Sequence, residues 1–425
     1  VVAVDGLKIE PAPQLRQPIR EVQQLWKALD ERVVAGFGGV AEYGITVRWD
    51  KNFLSLIRLV LERHSHYRLY GGVRLGSQLS VADSFAMGFD HVALCLGAGR
   101  PTTLSLPHGL AKGVRLASDF LMSLQLTSAA KLASPANLQL RLPVVVIGGG
   151  LTAIDTATEA LAYYPVMVEK FLSHYEQAVA AGGLAAIEAA WDEAEQAIAA
   201  EFIQHAQALR AARVQAQAAG DVFDPLPLLQ QWGGVTLVYR RDLTAAPAYR
   251  LNHEEVQLAL AQGIRLAPNL TPVAVMVDSA GYASALQVRQ EGGVISPLPA
   301  HSILIAAGTQ PNTVLAMEEG AAVTLAGQGA SEGASGGRGF AAADLAGHPI
   351  VPEAGAKPQR AQVLLAPPAM IEADGRRLSV FGDLHPGFAG NVVGAMASAK
   401  RGYPEVGMAM QQRRPEAELD GKSWQ

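Results

Sequence analysis

Short apolar runs and stretches of helical spacing alternate along the chain. Continuous apolar runs read as strands buried on both faces. They occur at Val1 to Asp5, His91 to Leu96, Leu142 to Ile147, Val235 to Tyr239, Ser302 to Ala306 and Leu378 to Phe381. Further short strands are predicted at Tyr67 to Tyr70, near Ile264, at Val273 to Val277 and at Ala283 to Gln290. Ile19, Val22, Leu25, Trp26 and Leu29 fall at helical spacing, which predicts a helix over Pro18 to Val33. Other helices are predicted at Phe53 to Arg63, from Leu151 to about Ala162, and at Gly390 to Lys400. Residues 163–219, rich in Ala, Glu and Gln, predict one or two long helices. Residues 319–358 are loaded with Gly and Ala, lack periodicity, and predict an extended or mobile loop. No repeat of solenoid period is present. Strands alternating with helices predict an α/β fold built on parallel sheet. The first strand has nothing before it, so the chain is expected to begin inside a domain.

Composition narrows this picture. The chain has 425 residues, enough for two to four domains at about 100–200 residues each. It is 49% hydrophobic with a mean hydropathy of +0.16, which excludes wholesale disorder. Acids outnumber bases by 39 to 34 and the pI is near 6.1, which argues against a nucleic-acid partner. Cys95 is the single cysteine, so no internal disulfide, Cys-x-x-Cys pair or iron–sulfur cluster can be built from this chain alone. No apolar run approaches the roughly 18–20 residues of a membrane span, and no signal peptide opens the chain. A cytoplasmic protein without membrane contact is expected. The 43 glycines suit many tight βα turns.

The strongest chemical signal follows the Leu142 to Ile147 strand. Gly148-Gly149-Gly150-Leu151-Thr152-Ala153 is a G-x-G-x-x-A pattern with a strand before it and a helix after it. In such a turn Gly148 permits the tight bend and Gly150 lets backbone approach a pyrophosphate. Ala153 permits close packing of helix on strand. The helix N-terminus offers free N–H groups and positive dipole to phosphate. The alternative is a glycine-rich turn with no ligand.

A ribose-reading residue is expected about 20 residues further on. The next suitable strand, Val235 to Tyr239, starts 85 positions after Gly150, so residues 163–219 are expected to be a helical insertion. The strand ends in Tyr239-Arg240-Arg241, where an NAD-specific site would carry Asp or Glu. A guanidinium forks onto phosphate oxygens, so Arg240 and Arg241 suit the 2′-phosphate of NADP. The plainer reading is a solvated arginine pair.

A second nucleotide site would need scattered pieces. Asp5 closes an apolar strand, the place of a ribose-binding acid. Gly36-Phe37-Gly38-Gly39-Val40-Ala41 matches the glycine pattern but lacks a proper preceding strand and a following apolar helix, so it is rejected as a fingerprint. Phe381-Gly382-Asp383 is a strand end whose carboxylate could hold sugar hydroxyls. The helix starting near Asn391 and Val392 could stabilise negative charge on a reduced ring. From spacing alone, an ordinary strand-to-helix turn is the stronger reading.

Taken in order, these pieces resemble the FAD- and NADPH-binding half of glutamate synthase small-subunit-like oxidoreductases, within the pyridine nucleotide-disulfide oxidoreductase superfamily. Gly38-Gly39, Tyr43-Gly44-Ile45 and Arg48 resemble the family's loop over the flavin. Cys95-Leu96-Gly97-Ala98-Gly99-Arg100-Pro101 resembles its hinge strand, with Leu96 where Thr is usual. Gly148-Gly149-Gly150 with Ala153 and Asp155 resembles its NADPH fingerprint, with Thr152 where Val is common. Val238-Tyr239-Arg240-Arg241, Ala246-Pro247-Ala248 and Glu254-Glu255 resemble a further conserved stretch. Ala306-Ala307-Gly308-Thr309-Gln310-Pro311-Asn312 and Phe381-Gly382-Asp383 resemble two more. The match covers roughly residues 1–402 apart from the insertion and the Gly/Ala segment.

The resemblance implies two Rossmann-like dinucleotide-binding domains of the glutathione-reductase type, the first incomplete at its N-terminus and the second carrying the insertion. It implies a discontinuous FAD domain, 1–135 with 301–405, around an NAD(P)H domain, 136–300, with a polar tail at 406–425. The implied cofactors are FAD and NADPH, with NADH possible. The implied contacts are Asp5, Gly39, Arg48, Leu75, Gly97, Gly148, Gly150, Leu151, Thr152, Ala153, Asp155, Arg240, Arg241, Gly308, Gly382, Asp383, Asn391 and Val392. Hydride would pass from nicotinamide to flavin at a separation of roughly 3–3.5 Å, with no acid–base triad. Electrons would go on to an iron–sulfur domain or subunit. The first FAD fingerprint and the cysteine-rich module that usually precedes it are absent, which suggests an internal piece of a longer protein. The rival reading is a non-catalytic nucleotide-binding module, or a fragment unable to hold FAD by itself.

Other reactive side chains have plain expectations. Cys95 is expected to be a buried inert thiol. His64 and His66 read as a solvated loop pair, and His385 as a surface histidine. Trp191 and Trp232 read as packing anchors of the insertion, which could also dock a partner.

Overall fold

The structure is a computed structural model and describes residues 29, 54–319, 364–365, 376–385, 388 and 392–411. The predicted strand at Val1 to Asp5, the helix at Pro18 to Val33 apart from Leu29, the glycine loop at Gly36 to Gly39, nearly all of 319–358 and the tail after 411 lie outside the described residues.

In chain order the elements are helices α1 (Leu54–Glu62) and α2 (Val81–Ala86), strands β1 (His91–Leu94), β2 (Arg100–Pro101) and β3 (Val114–Leu116), helix α3 (Ala117–Leu126) and strand β4 (Val144–Ile147). Helices α4 (Leu151–Gly182), α5 (Leu184–Glu188), α6 (Glu193–Ala219) and α7 (Leu226–Gln231) then precede β5 (Val235–Val238). Helices α8 (Pro247–Leu251) and α9 (His253–Ala261) lead to β6 (Arg265–Ala267), β7 (Thr271–Val277), β8 (Ala283–Arg289), β9 (Ile295–Pro299), β10 (Ser302–Ile305) and β11 (Thr309–Gln310). Helix α10 (Leu315–Glu318), strands β12 (Leu364–Leu365) and β13 (Arg377–Val380), and helix α11 (Val392–Gln411) complete the set.

The chain forms two compact units. The first comprises Val1–Leu69 and Thr103–Gly308, the second Tyr70–Thr102 and Thr309–Gln425. The expected division placed 103–135 and 301–308 with the flavin domain. In the structure they belong to the first unit, because β3 and β10 are strands of the same sheet as β4. That sheet has the order β3-β10-β4-β5-β6, and every pairing in it is parallel. All four residues of β4 and of β10 are buried, which explains the apolar runs Val144–Ile147 and Ile303–Ile305, while the buried Ser302 hydroxyl accepts the Arg141 N–H at 2.8 Å. Helices α3 and α4 pack on one face; their core includes Phe120, Leu124, Ile154, Tyr163 and Tyr164. The antiparallel meander β7-β8-β9 packs on the other through Val275, Leu286 and Val288, against Val145 and Ile303.

Two boundaries differ from expectation. The helix predicted to end near Ala162 runs on to Gly182, straight through Pro165. Tyr163, Tyr164, Met167 and Val168 are fully buried around the proline, and that packing carries the helix past it. Helix α6 then runs back along α4. It starts on a capping box, Asp192 with Glu195, and ends at Gly220, whose φ of +77° is left-handed. Trp232 stacks on His205 at 3.8 Å, and Trp191 stacks on Tyr175 at 6.1 Å, so both tryptophans are packing residues. At the other end of the chain, α11 extends to Gln411, into the expected polar tail. Tyr67 to Tyr70 is not a strand.

In the second unit β13 lies parallel to β1 and antiparallel to β12. Its core joins Val81, Phe85, Leu94, Leu315, Leu378, Val380 and Leu384.

Candidate nucleotide-binding site

The first unit's site is built at the end of β4. The Gly148 N–H donates to the Val238 carbonyl at 3.0 Å, and the Ala306 N–H donates to the Ile147 carbonyl at 2.8 Å. The glycine turn is therefore wedged between the ends of β5 and β10. A β-carbon on Gly148 would collide with the Ala306 carbonyl oxygen and stand 3.0 Å from the Ala153 β-carbon. Gly148 is not among the glycines with positive φ, so this position needs close approach and not a left-handed backbone. Ala153 is fully buried beside it. Gly149 faces the ring of Tyr239, and its carbonyl accepts the Ala248 N–H at 2.9 Å.

Gly150 differs from both neighbours. Nothing lies within 4 Å of where its β-carbon would stand. Its carbonyl accepts the N–H groups of Ala153 and Ile154 at 3.0 and 3.3 Å, while no described residue accepts its own N–H. Leu151, half-buried on the core, starts α4; Thr152 is exposed and Asp155 is buried. An open approach, a free N–H and the positive end of a 32-residue helix together fit an anionic phosphate.

β5 runs beside β4 with Val238 opposite Ile147, so the two strands end level. Arg240 and Arg241 follow β5, are exposed, and donate to no described residue. The carboxylate next in sequence, Asp242, bonds to Thr244. It accepts from the Thr244 hydroxyl at 2.6 Å and the Thr244 N–H at 2.8 Å, bonds that hold its pKa below the usual carboxylate value. The exposed charge at this strand end is net positive, two guanidinium groups against the one carboxylate of Asp242.

In the second unit, Gly97 has φ +67° and open space at its β-carbon position, and its carbonyl accepts the Asn312 N–H at 2.9 Å. Gly382, φ +66°, follows β13. Its N–H donates to the Ser398 hydroxyl at 2.8 Å, and that hydroxyl donates to the Ala395 carbonyl at 2.6 Å, so the turn is tied to α11. Asp383 is half-buried beside it, and Val392 is exposed at the start of α11. Leu75 is half-buried against the core of the second unit. These glycines and Asp383 fit the sugar-alcohol part of a flavin cofactor. Asp5, Gly39, Arg48 and Asn391 lie outside the described residues. Gly308, with φ +106°, ends the first unit after β10.

Two expectations about burial are corrected. Cys95 is exposed, because β1 ends one residue before it; the surrounding protein still desolvates the thiol enough to push its pKa up. His385 is buried and lies edge-to-face with Phe388 at 4.6 Å, because the turn after Gly382 folds it inward. His64 and His66 are exposed, as expected. Among the described residues, no group of three His, Cys, Asp or Glu could hold a metal ion, and no helix is long and apolar enough to cross a membrane.

The sequence profile of the family described as pyridine nucleotide-disulphide oxidoreductase matches residues 57–334. The chain belongs to this family. The matched span includes the whole glycine turn, the arginine pair and Gly308. A protein of Rickettsia prowazekii (strain Madrid E), described as uncharacterized, is 42% identical over 288 residues, 68% of this chain. The match spans 38% of that relative's length. Among solved structures, a 2-naphthoyl-CoA reductase in complex with 2-naphthoyl-CoA matches with a TM-score of 0.38 at 12% identity, over 66% of this chain and 29% of that one. A ferredoxin reductase from Rhodopseudomonas palustris matches with a TM-score of 0.33 at 13% identity, over 70% of this chain and 44% of that one.

Reasoning from sequence singled out the glycines, the arginines and Asp383. It gave no roles to Tyr239, Ala248 and Ser398. The first two lie within Val238 to Arg241 and Ala246 to Ala248, but their contacts to Gly149 arise from the fold.

Proposed function

We propose that this chain is the nucleotide-binding core of a flavin-dependent oxidoreductase that draws its reducing equivalents from NADPH. The carrying observation is the pairing of an open, donor-bearing turn at Gly150 with two unengaged guanidinium groups at the end of the adjacent strand. The turn and the N-terminus of α4 bind the pyrophosphate, with Leu151 and Thr152 in the helix's first turn. Arg240 and Arg241 fork onto the 2′-phosphate, and their two positive charges outweigh the ionised carboxylate of Asp242 that follows them. NADH remains a weaker donor, since it shares the pyrophosphate.

On the same reading, Asp383 accepts hydrogen bonds from the flavin's sugar-alcohol chain, and Gly97 leaves backbone room for it. Asp5, Gly39, Arg48 and Asn391 are assigned to the flavin by resemblance, as are Leu75, Gly308 and Val392. When bound, FAD supplies the hydride-accepting chemistry. The chain's own residues supply position and field. The electron acceptor is an iron–sulfur domain or subunit.

The test is the visible spectrum of the purified protein, followed under anaerobic addition of NADPH. A yellow protein bleached by NADPH faster than by NADH is expected. A colourless protein that binds NADPH would replace this reading with a nucleotide-binding module; a protein that binds neither would overturn both.

A further inference from the structure

The middle glycine of the turn is held from two sides. The aromatic ring of Tyr239 occupies the place of a side chain at Gly149, with its Cζ 2.8 Å from where a β-carbon would stand. Gly149 does not have a positive φ, so the ring, and not the backbone, requires a glycine here. On the other side, the Ala248 N–H from the first turn of α8 grips the Gly149 carbonyl at 2.9 Å. Tyr239 itself is anchored. Its N–H donates to the Ala267 carbonyl at 3.1 Å, its carbonyl accepts the Leu270 N–H at 3.0 Å, and its hydroxyl donates to the Ala245 carbonyl at 3.4 Å.

The consequence lies in the next peptide. A trans peptide points its C=O and its N–H in opposite directions. With the Gly149 carbonyl drawn toward Ala248, the Gly150 N–H is turned away from α8. That N–H is the donor no described residue accepts. We propose that Tyr239 and Ala248 form a clamp that fixes the Gly149–Gly150 peptide so that its N–H meets the dinucleotide's pyrophosphate, with Tyr239 as the positioning residue. This rests on the reading of the turn as a pyridine-nucleotide site. Tyr239 immediately precedes the arginine pair, so one residue ties the phosphate turn to the strand end that reads the 2′-phosphate.

Calorimetric affinities for NADPH and NADH, with melting temperature as the check on folding, test the clamp. Tyr239→Ala is expected to weaken both nucleotides alike by about ten-fold, the size of one lost hydrogen bond to a charged group. Tyr239→Phe keeps the ring and should bind as the unaltered protein does. Gly149→Ala should weaken both nucleotides, because its β-carbon meets the ring. Once the ring is gone that β-carbon has room, so the double variant should bind no worse than Tyr239→Ala. Unaltered affinity in Tyr239→Ala, or losses that multiply in the double variant, would overturn the clamp. If Tyr239→Ala fails to fold, Gly149→Ala reads the same contact from the other side, and wild-type affinity there would overturn it. An unaltered protein that binds neither nucleotide removes the underlying reading and the clamp with it.

Discussion

Gly148 faces the carbonyl oxygen of Ala306 with no room for even a β-carbon between them. The contact is backbone on backbone, between the turn after β4 and the end of β10, so neither side can rotate away. Gly148→Ala therefore overpacks the sheet end. A loss of roughly 1–3 kcal/mol of stability is expected, read from urea denaturation. A variant as stable as the unaltered protein would show that the strands can part there freely.

On the proposed reading, the arginine pair governs nucleotide choice. Replacing Arg240 and Arg241 with Ala should weaken NADPH by about ten-fold or more and leave NADH nearly unchanged, since two charge-assisted contacts to the 2′-phosphate are lost. Steady-state KM values for both nucleotides check this. Equal effects on the two would assign the arginines to solvent.

Two histidines contribute to the response to acid. Burial, with Arg377 adding to it, holds His91 below its usual pKa, and burial does the same to His205 against the opposing pull of Glu201. Each is hydrogen-bonded, His91 to the Ser379 hydroxyl at 2.7 Å and His205 to the Tyr164 hydroxyl at 2.6 Å. A depressed folded pKa means the unfolded chain takes up the proton first. Stability is then fully present above about 6.5, the unfolded value, and falls as pH drops through the folded values. Denaturation series across this window should show the slope, and His91→Gln with His205→Gln should flatten it.

Lys170 is a buried cation on α4 whose ammonium donates to the carbonyls of Ala129 and Ala136 at 2.9 and 2.6 Å. Burial lowers its pKa. Lys170→Met keeps the stem but leaves two carbonyls without this donor. A cost of roughly 2–4 kcal/mol is expected by chemical denaturation. A neutral result would mean that water replaces the ammonium.

Much of the site could be read before the fold was known. Val144 to Ile147 is apolar on both faces, and the glycines follow between that strand and a helix, a context the equally spaced Gly36 to Ala41 does not offer in the sequence. The strand ending in Arg240 and Arg241 is equally plain. What sequence could not show depends on distant contacts. Pro165 reads as a helix end until the buried tyrosines beside it are seen to pack. Ser302 to Ala306 reads as a strand, but nothing local says that it pairs with β4, which is why the unit boundary falls at Gly308 and not near 300. Cys95 reads as buried from its apolar neighbours and His385 as exposed, yet Cys95 falls just past the end of β1 and His385 closes the turn that follows Gly382, and each takes the opposite exposure. Val114–Leu116 is too short to signal itself at all.

Gly150 is the one glycine of the turn with empty space where a β-carbon would stand. Its φ of −94° suits any residue, so Gly150→Ala should fold with an unchanged melting temperature. Calorimetric titration of this variant with NADPH is the direct measurement. Affinity at least ten-fold below that of the unaltered protein is predicted, because a methyl group would stand where the pyrophosphate lies. Equal affinity in the two proteins would place the nucleotide elsewhere and contradict the account.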